Sequence, residues 1–481
     1  MEKSRDYVIF YLNGKKHKVH GEDVFKPLSD FLRYDKCQIG TKVVCAEGDC
    51  GSCTVAYGKI KNSKLEYQII NSCIKYVYQL DGTHTINIEG LKSESCLTAV
   101  QDSMVTNHGA QCGFCTPGFV VSMTALFENK DKLEVKDLRE GLTGNLCRCT
   151  GYDSIIKAGL AVDSSKINKF DSLYPQNEMI SELEKYKNIP IYIETEEKTF
   201  FNPVTIDQAV NFRNEKNTVV IVSGGTDVSV QVNKKMRDPH TIMSIASIDE
   251  LSEIKIENGY ISLGARVTLS QLENFSLDLY PEFYDILKIF GSPQIKNSAT
   301  IAGNIANGSP IADTLPFLYV MDAIVELTGV KGRREININN FYKGYKMLDM
   351  TSDEMITKVL IPILKDNEKI KLYKVSKRRD LDISTFTAAF KMSVNGNNID
   401  KISIAYGGVG PNILRLKKTE EFLSDKPINY KNMNEAGKIA VTEITPITDV
   451  RGSKDFRLQL AENIMMKLYF DLQKKGELVC Q

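Results

Sequence analysis

No apolar run in the 481-residue sequence approaches the roughly 18 residues that a membrane-spanning helix needs. The start, MEKSRDYVIFYLNGKK, holds no apolar core of the about 7 to 15 residues that mark a secretory signal. An excess of either charge is missing too: Lys plus Arg and Asp plus Glu both number 61, so the formal net charge is zero. That balance gives no pull toward nucleic acid or an acidic membrane surface. The glycine-rich stretch SGGTD at 223–227 is neither the dinucleotide GxGxxG nor the Walker GxxxxGK[ST] pattern, and AYGGVGPN at 405–412 lacks a third glycine and a following helix start. The expected setting is cytoplasmic, and the length suits about three domains.

What the sequence does have is cysteine, eleven in all, eight of them in metal-ligand spacings between Cys45 and Cys149. In a reducing compartment these are read as metal ligands rather than disulfides. CAEGDCGSC places Cys45, Cys50 and Cys53 in one loop, with Cys73 further on. That is the plant-type ferredoxin spacing, in which one compact loop delivers three thiolates to a [2Fe-2S] cluster and a distant element supplies the fourth. Gly48 and Gly51 suit it, because glycine accepts positive φ and lets backbone N–H groups approach anionic sulfur. A structural zinc site or scattered buried thiols are the alternatives. A second set is Cys112 and Cys115 in QCGFCTPG with Cys147 and Cys149 in GNLCRCTGY. Residues two apart on a strand face the same way but lie about 7 Å apart, so Cys147 and Cys149 share a metal only from an irregular turn, which Gly144, Asn145 and Gly151 favour. Alone this set could hold zinc; beside a ferredoxin-type loop a second cluster is the better reading, and two clusters in one small module make an electron wire. Cys37, Cys96 and Cys480 read as ordinary free thiols, and His17, His20 and His84 as surface histidines.

Pattern divides the chain further. YVIFYL at 7–12, Asn13-Gly14 and HKVH at 17–20 predict a hairpin. Strands are expected at TVAYG, near Glu66–Asn71 and at TINIEG. From 96 to about 165 the periodicity is helical, with Thr116 as cap, Pro117 opening a helix, and Phe119, Val120, Met123, Leu126 and Phe127 as its buried stripe. Residues 166–198 are charged, without a clear apolar face, and are expected to be a linker with one exposed helix. TVVIVSGGTDVSVQV at 218–232 predicts a buried strand, a glycine turn and a return to strand; such a turn is either structural or aims several N–H groups at a diphosphate. SPQIKNSATIAGNIANGSPIADTLP at 292–316 has little capacity for a conventional helix and offers Thr300, Asn304, Asn307, Ser309 and Asp313 as hydrogen-bonding groups. After about Lys371, strands and helices form a closing α+β lobe whose last helix is expected to be largely buried at 456, 458, 460, 464, 465, 468 and 470. The charged loop at 372–384 is either solvated or nucleotide-facing.

In this order, CAEGDCGSC, QCGFCTPG, GNLCRCTGY, SGGTD and TIAGNIANGSPIADTLP resemble the iron-sulfur and FAD portion of the xanthine dehydrogenase family of molybdenum hydroxylases. The resemblance covers essentially the whole chain. It implies a multidomain α+β fold: a β-grasp ferredoxin-like [2Fe-2S] domain at 1–90, a four-helix-bundle [2Fe-2S] domain at 91–165, the linker 166–198, a vanillyl-alcohol-oxidase-type FAD-binding α/β domain at 199–368, and a C-terminal lobe at 369–481 like that of the carbon monoxide dehydrogenase flavoprotein. Carried over by motif, one cluster falls on Cys45, Cys50, Cys53 and Cys73, and the other on Cys112, Cys115, Cys147 and Cys149. FAD would be held by Ile221, Val222, Ser223, Gly224, Gly225, Thr226, Asp227 and Val228, by Thr300, Ile301, Ala302, Gly303, Asn304 and Asp313, and by weaker matches at Phe290, Ile356 and Lys374. No catalytic residue is assigned in this chain, because the family's molybdopterin domain is expected on a separate large subunit. The implied role, in purine catabolism, is to pass electrons from that partner through both clusters to FAD and on to NAD+, within a heterotetramer or higher hetero-oligomer.

Overall fold

The computed structural model describes residues 4–92 and 96–474; Cys480 lies outside the described residues. The chain divides into two compact units, one running through Asp249 and completed by Gly291–Ala299, the other comprising Glu250–Phe290 and everything from Thr300 onward.

The first unit opens with a five-stranded sheet built from β1 (Tyr7–Leu12), β2 (Lys15–His20), β3 (Thr54–Lys61), β4 (Lys64–Asn71) and β5 (Thr83–Ile86), in the order β2-β1-β5-β3-β4. Asn13 (φ 48°) and Gly14 (φ 75°) make the tight turn between β1 and β2 that their sequence predicts. The parallel pairing of β1 with β5 completes the β-grasp arrangement. Phe10, Leu28, Phe31 and Tyr57 pack into the core of this sheet.

His84 is not a surface histidine: it is fully buried on β5. Period-two alternation around THTI does not reveal this, because both faces of the strand are covered. Its Nε2 accepts from the Gly14 N–H at 3.1 Å, so Nδ1 carries the proton toward the Tyr67 hydroxyl at 2.7 Å. Burial lowers its pKa from 6.5 to about 4. The unfolded chain therefore binds the extra proton first, and stability is lost as pH falls from 6.5 toward 4. Urea midpoints measured between pH 7 and pH 4 are expected to decline across that window, with a shallower decline in His84→Gln.

The helical part has four helices, Ala99–Thr106, Thr116–Asn129, Val135–Gly141 and Asp153–Leu160. Phe119, Val120, Met123 and Phe127 are buried as the periodicity requires. Thr116, however, does not cap: the Cys115 carbonyl already accepts from Phe119 N, so the helix begins one residue earlier than expected.

Residues 166–198 depart from the linker expectation. Helices Phe170–Leu173 and Gln176–Glu184 bury Phe170, Met179 and Ile180 against the helical core, while Ile191 and Ile193 of β6 (Ile191–Glu194) join the core of the β-grasp sheet. The apolar face exists at 179, 180 and 183, set among charged neighbours that mask it in composition. With β7 (Thr199–Asn202), β8 (Val220–Val222) and β9 (Thr241–Ser244), β6 forms a second sheet in the order β6-β7-β9-β8. After β8 the expected return to strand does not occur; VSVQVN is the helix Val228–Asn233, its β-branched propensity overridden by tertiary context.

Short helices also occupy 292–316 instead of irregular chain. In the first unit Pro293–Lys296 is capped by Ser292, whose hydroxyl accepts from Ile295 N. In the second, Ile301–Asn307 is capped by Thr300, and Leu315–Val320 follows. Hydroxyls that look like ligand groups in sequence are here partly spent as helix caps.

The second unit holds a five-stranded sheet in the order Ile254–Glu257, Tyr260–Gly264, Met355–Pro362, Ile324–Gly329, Gly332–Asn337, and a four-stranded sheet of Glu368–Val375, Phe386–Asn395, Asn398–Gly407 and Leu414–Arg415. Helices Tyr430–Thr442 and Lys454–Lys474 pack beside the latter. The last helix buries Ala461, Ile464, Met465, Leu468 and Leu472, but Phe456 and Phe470 are exposed, contrary to expectation. Its inward face also carries Arg457, fully buried, which donates to Thr385 O and pairs with Asp449 at 2.8 Å. Among the described residues no helix is long and apolar enough to cross a membrane.

Candidate functional site

The loop from Cys45 to Cys53 runs into β3, and Cys73 follows β4, so strand pairing alone returns the fourth cysteine to the loop: Thr54 faces Asn71 across the ladder. Ala46 (φ 55°), Gly48 (φ 78°) and Gly51 (φ 70°) curl the loop. In consequence its thiols meet. Contact with the Cys50 and then the Cys73 thiol lowers the Cys45 pKa, whereas Cys50 is raised by Cys45. Contact with Cys73 lowers Cys53, and Cys73 is raised first by Cys45 and then by Cys53. Backbone N–H groups of Glu47 and Cys50 point at Cys45 Sγ, that of Ser52 at Cys50 Sγ, and that of Cys73 at Cys53 Sγ.

The second set gathers in two thiol pairs. Burial and then the Cys147 thiol push Cys115 up to about 12; contact with Cys112 raises Cys149. At Cys147 burial opposes ionisation, but hydrogen bonds from the Thr150 hydroxyl (3.1 Å) and N–H (3.4 Å) prevail and its pKa falls. The irregular turn that CxC demands is present: Gly151 (φ 65°) and Tyr152 (φ 71°) reverse the chain, and the Tyr152 hydroxyl accepts from Cys147 N. Cys112 and Cys149 are exposed while Cys147 is buried.

These donor sets fit iron-sulfur clusters. Among the described residues no group of three or more His, Cys, Asp or Glu is disposed as a single-ion site; a two-iron cluster requires something different, two ligands on each iron. Bound there, a cluster supplies one-electron transfer.

The two loops touch. Leu146 N donates to Cys50 O at 2.9 Å, one residue before Cys147. A Cβ on Gly51 would lie 2.1 Å from Gly144 O, and one on Gly118 would lie 2.2 Å from Gly51 O. Asn145 is the hub of this contact: its Nδ2 donates to Gly51 O (3.1 Å), and its Oδ1 accepts from Ser122 (2.8 Å) and Gln294 (3.1 Å). Sequence reasoning identifies Asn145 only as a turn former and misses Gln294, Asn71, Asn233 and Gln79. None lies in a cysteine motif, and only Gly118 and Gly144 hint that backbones approach here.

Of the residues matched to FAD, Ile221 and Val222 end β8, Ser223–Asp227 form the turn, and Val228 opens the next helix. Gly225 sits at φ 81°. A Cβ on Gly224 would lie 1.8 Å from Ser298 O, and Gln79 Nε2 donates to Gly224 O at 3.2 Å. The buried Ser229 hydroxyl beside Gly225 has no hydrogen-bond partner. Such a glycine cradle fits a phosphate.

In the second unit Thr300–Asn304 span the cap and first turns of one helix, and Asn304 Oδ1 accepts from the Thr314 hydroxyl. Asp313 and Lys374 are brought together as a buried pair at 2.7 Å, with the Ser384 hydroxyl on the other Asp313 oxygen. Lys374 Nζ also donates to Ile289 O, the neighbour of half-buried Phe290. Ile356 lies on the strand Met355–Pro362, opposite Leu327.

Three family models match in chain order: a "[2Fe-2S] binding domain" over 87–160, an "FAD binding domain in molybdopterin dehydrogenase" over 194–364, and a "CO dehydrogenase flavoprotein C-terminal domain" over 371–472. Together these matches make the chain similar, domain by domain, to the molybdenum hydroxylases. Similar relatives include the xanthine dehydrogenase of Blastobotrys adeninivorans, 28% identical over 97% of this chain and 41% of its own length, and xanthine dehydrogenase 1 of Arabidopsis thaliana, 29% identical over 96% and 39%. The chain thus spans about two-fifths of the length of these curated relatives. Among solved structures, a carbon monoxide dehydrogenase from Hydrogenophaga pseudoflava matches with a TM-score of 0.54, 23% identity, and coverage of 56% of this chain and 94% of that one. Quinoline 2-oxidoreductase from Pseudomonas putida 86 matches with 0.53, 22%, 56% and 94%. At that identity the two structures speak to fold. The chain therefore carries [2Fe-2S]-binding and FAD-binding domains, in the multidomain α+β fold that its sequence implies.

Proposed function

We propose that the chain is the electron-transfer portion of a cytoplasmic xanthine dehydrogenase, linking a large molybdopterin-binding partner subunit to NAD+ in a heterotetramer or higher hetero-oligomer. The observation that carries the reading is the direct contact between the two cysteine loops, Leu146 N–H to Cys50 O, which joins two candidate one-electron centres within one unit. The similarity to full-length xanthine dehydrogenases supports the purine substrate.

In this reading Cys45, Cys50, Cys53 and Cys73 hold one [2Fe-2S] cluster, and Cys112, Cys115, Cys147 and Cys149 the other. The turn Ile221–Val228 offers FAD its phosphate cradle. In the second unit Thr300–Asn304, Asp313, Phe290, Ile356 and Lys374 are the candidate FAD residues, the Asp313–Lys374 pair acting by fixing its own strand and loop rather than by presenting a free charge. A bound flavin exchanges single electrons on one side and a hydride on the other.

Anaerobic NADH titration of the purified chain, followed by absorption and low-temperature EPR, tests this. Bleaching of the flavin band followed by two distinct reduced [2Fe-2S] signals is the expected result. Clusters and flavin that stay oxidised under NADH would remove the nicotinamide assignment. Turnover of another heterocycle or an aldehyde, but not xanthine, by the chain bound to its large partner would replace the purine with that substrate.

A further inference from the structure

The Cys45–Cys53 loop has a polarity that its sequence does not announce. Its N–H groups turn inward: those of Glu47, Cys50 and Ser52 point at the thiols. Its carbonyls turn outward, and three of them are taken by carboxamides from elsewhere in the chain. Asn71 Nδ2 donates to Gly48 O at 2.7 Å. Asn145 Nδ2 donates to Gly51 O at 3.1 Å. Asn233, on the helix that follows the glycine turn, donates to Ala46 O at 2.9 Å and to Cys73 O at 2.8 Å, and is itself aimed by the Tyr76 hydroxyl at 2.8 Å. A peptide plane is rigid, so a carbonyl held outward holds the N–H of the same plane inward.

We infer that Asn145, through the Gly51–Ser52 plane, and Asn233, through the Ala46–Glu47 plane, are positioning residues that set the reduction potential of the group bound by Cys45, Cys50, Cys53 and Cys73. They do so by fixing the peptide planes whose N–H dipoles face its sulfurs. The inference rests on the cluster assignment proposed above. A reduced [2Fe-2S] cluster carries one more negative charge than the oxidised one, so inward N–H dipoles favour the reduced form; hydrogen bonds to sulfur are a recognised determinant of such potentials. Releasing a carbonyl clamp lets its plane rotate, withdraws an N–H from sulfur and favours oxidation. Asn233 is the more informative of the two, since it holds the Ala46–Glu47 plane and also ties the loop to Cys73 O. Because it lies on the helix leaving the candidate flavin turn, it also makes the first cluster's potential depend on a segment outside the β-grasp sheet.

The test is an EPR-monitored redox titration of the iron-loaded chain and its Asn233→Leu variant, a change of similar shape that removes the donor. At a fixed potential the reduced-to-oxidised ratio of the first cluster is expected to fall about tenfold, equivalent to about 59 mV for a one-electron couple. The second cluster, which Asn233 does not touch, serves as internal control and keeps its midpoint. Both signals present with unmoved midpoints would overturn the inference. A parent chain with only one [2Fe-2S] signal would instead overturn the two-cluster reading beneath it. Should Asn233→Leu lose the first signal altogether, Asn233→Ser, whose short side chain has a single donor and cannot hold both carbonyls, is titrated in its place, and an unmoved midpoint there overturns the inference equally.

Discussion

Purified Cys147→Ser protein is expected to hold about half the iron of the parent, because each [2Fe-2S] cluster accounts for two irons, and to lack one of the two reduced EPR signals. Cys147 is the buried member of its set and the one whose thiol is hydrogen-bonded from Thr150, so the replacement removes the ligand that the fold encloses most completely. NADH should still bleach the flavin and reduce the remaining cluster, since Cys45, Cys50, Cys53 and Cys73 are untouched. Electron delivery from a molybdenum partner should fail, because the proposed route runs through both clusters and one is gone. Full iron content with both signals retained would take Cys147 out of the ligand set. Loss of both clusters would mean that the two loops cannot assemble separately, a stronger coupling than one backbone hydrogen bond supplies.

The second large effect is expected from one added methyl group. Gly51→Ala places a side chain at φ 70°, a conformation that costs a non-glycine residue about 1–3 kcal/mol. The new Cβ would also lie 2.1 Å from Gly144 O and 2.8 Å from Asn145 Nδ2. Backbone cannot yield as a flexible side chain can, so overpacking adds a further cost of about 1–3 kcal/mol. Denaturant unfolding of the metal-free variant should register the sum as a clear fall in midpoint. Reconstitution should then give poor loading of the first cluster and a weakened contact with the second loop. A midpoint equal to the parent's would mean that the two loops do not approach as closely as Gly51, Gly118 and Gly144 indicate.

The candidate ligands and the turn chemistry were legible in the sequence because both are local. Cysteine spacing within nine residues, Asn13-Gly14 and the glycines at 48, 51 and 151 report their own backbone. The asparagines that hold the cluster loop were not legible for the converse reason: Asn145 and Asn233 act across 94 and 187 residues of chain, and an asparagine in sequence looks the same whether it turns the chain or clamps a distant carbonyl. His84 was misread because a strand covered on both faces shows no alternation. The segment 166–198 was misread because three apolar side chains among many charged ones form a helical face that composition averages away. At 228–232 a run of β-branched residues signalled strand, and packing against the first unit made it a helix. The flavin residues stand between these cases. The glycine cradle at 224–225 was visible, but the pairing of Asp313 with Lys374 and Ser384 was not, since it joins a turn to a strand and a loop 61 and 71 residues away.

Gly291–Ala299 belongs to the first unit although it is encoded after Asp249 and the 41 residues Glu250–Phe290 of the second, and through Gln294 it reaches both Asn145 and Thr54. This imposes an order on biosynthesis. A ribosome adding about 5–20 residues per second needs on the order of 15–60 s to reach Ala299, and until then the cysteine-bearing half lacks the piece that closes it. Nascent chains arrested before residue 291 should therefore present an open junction between the two cysteine loops, whereas chains released after residue 299 can close it, so iron loading has a natural checkpoint in the middle of translation.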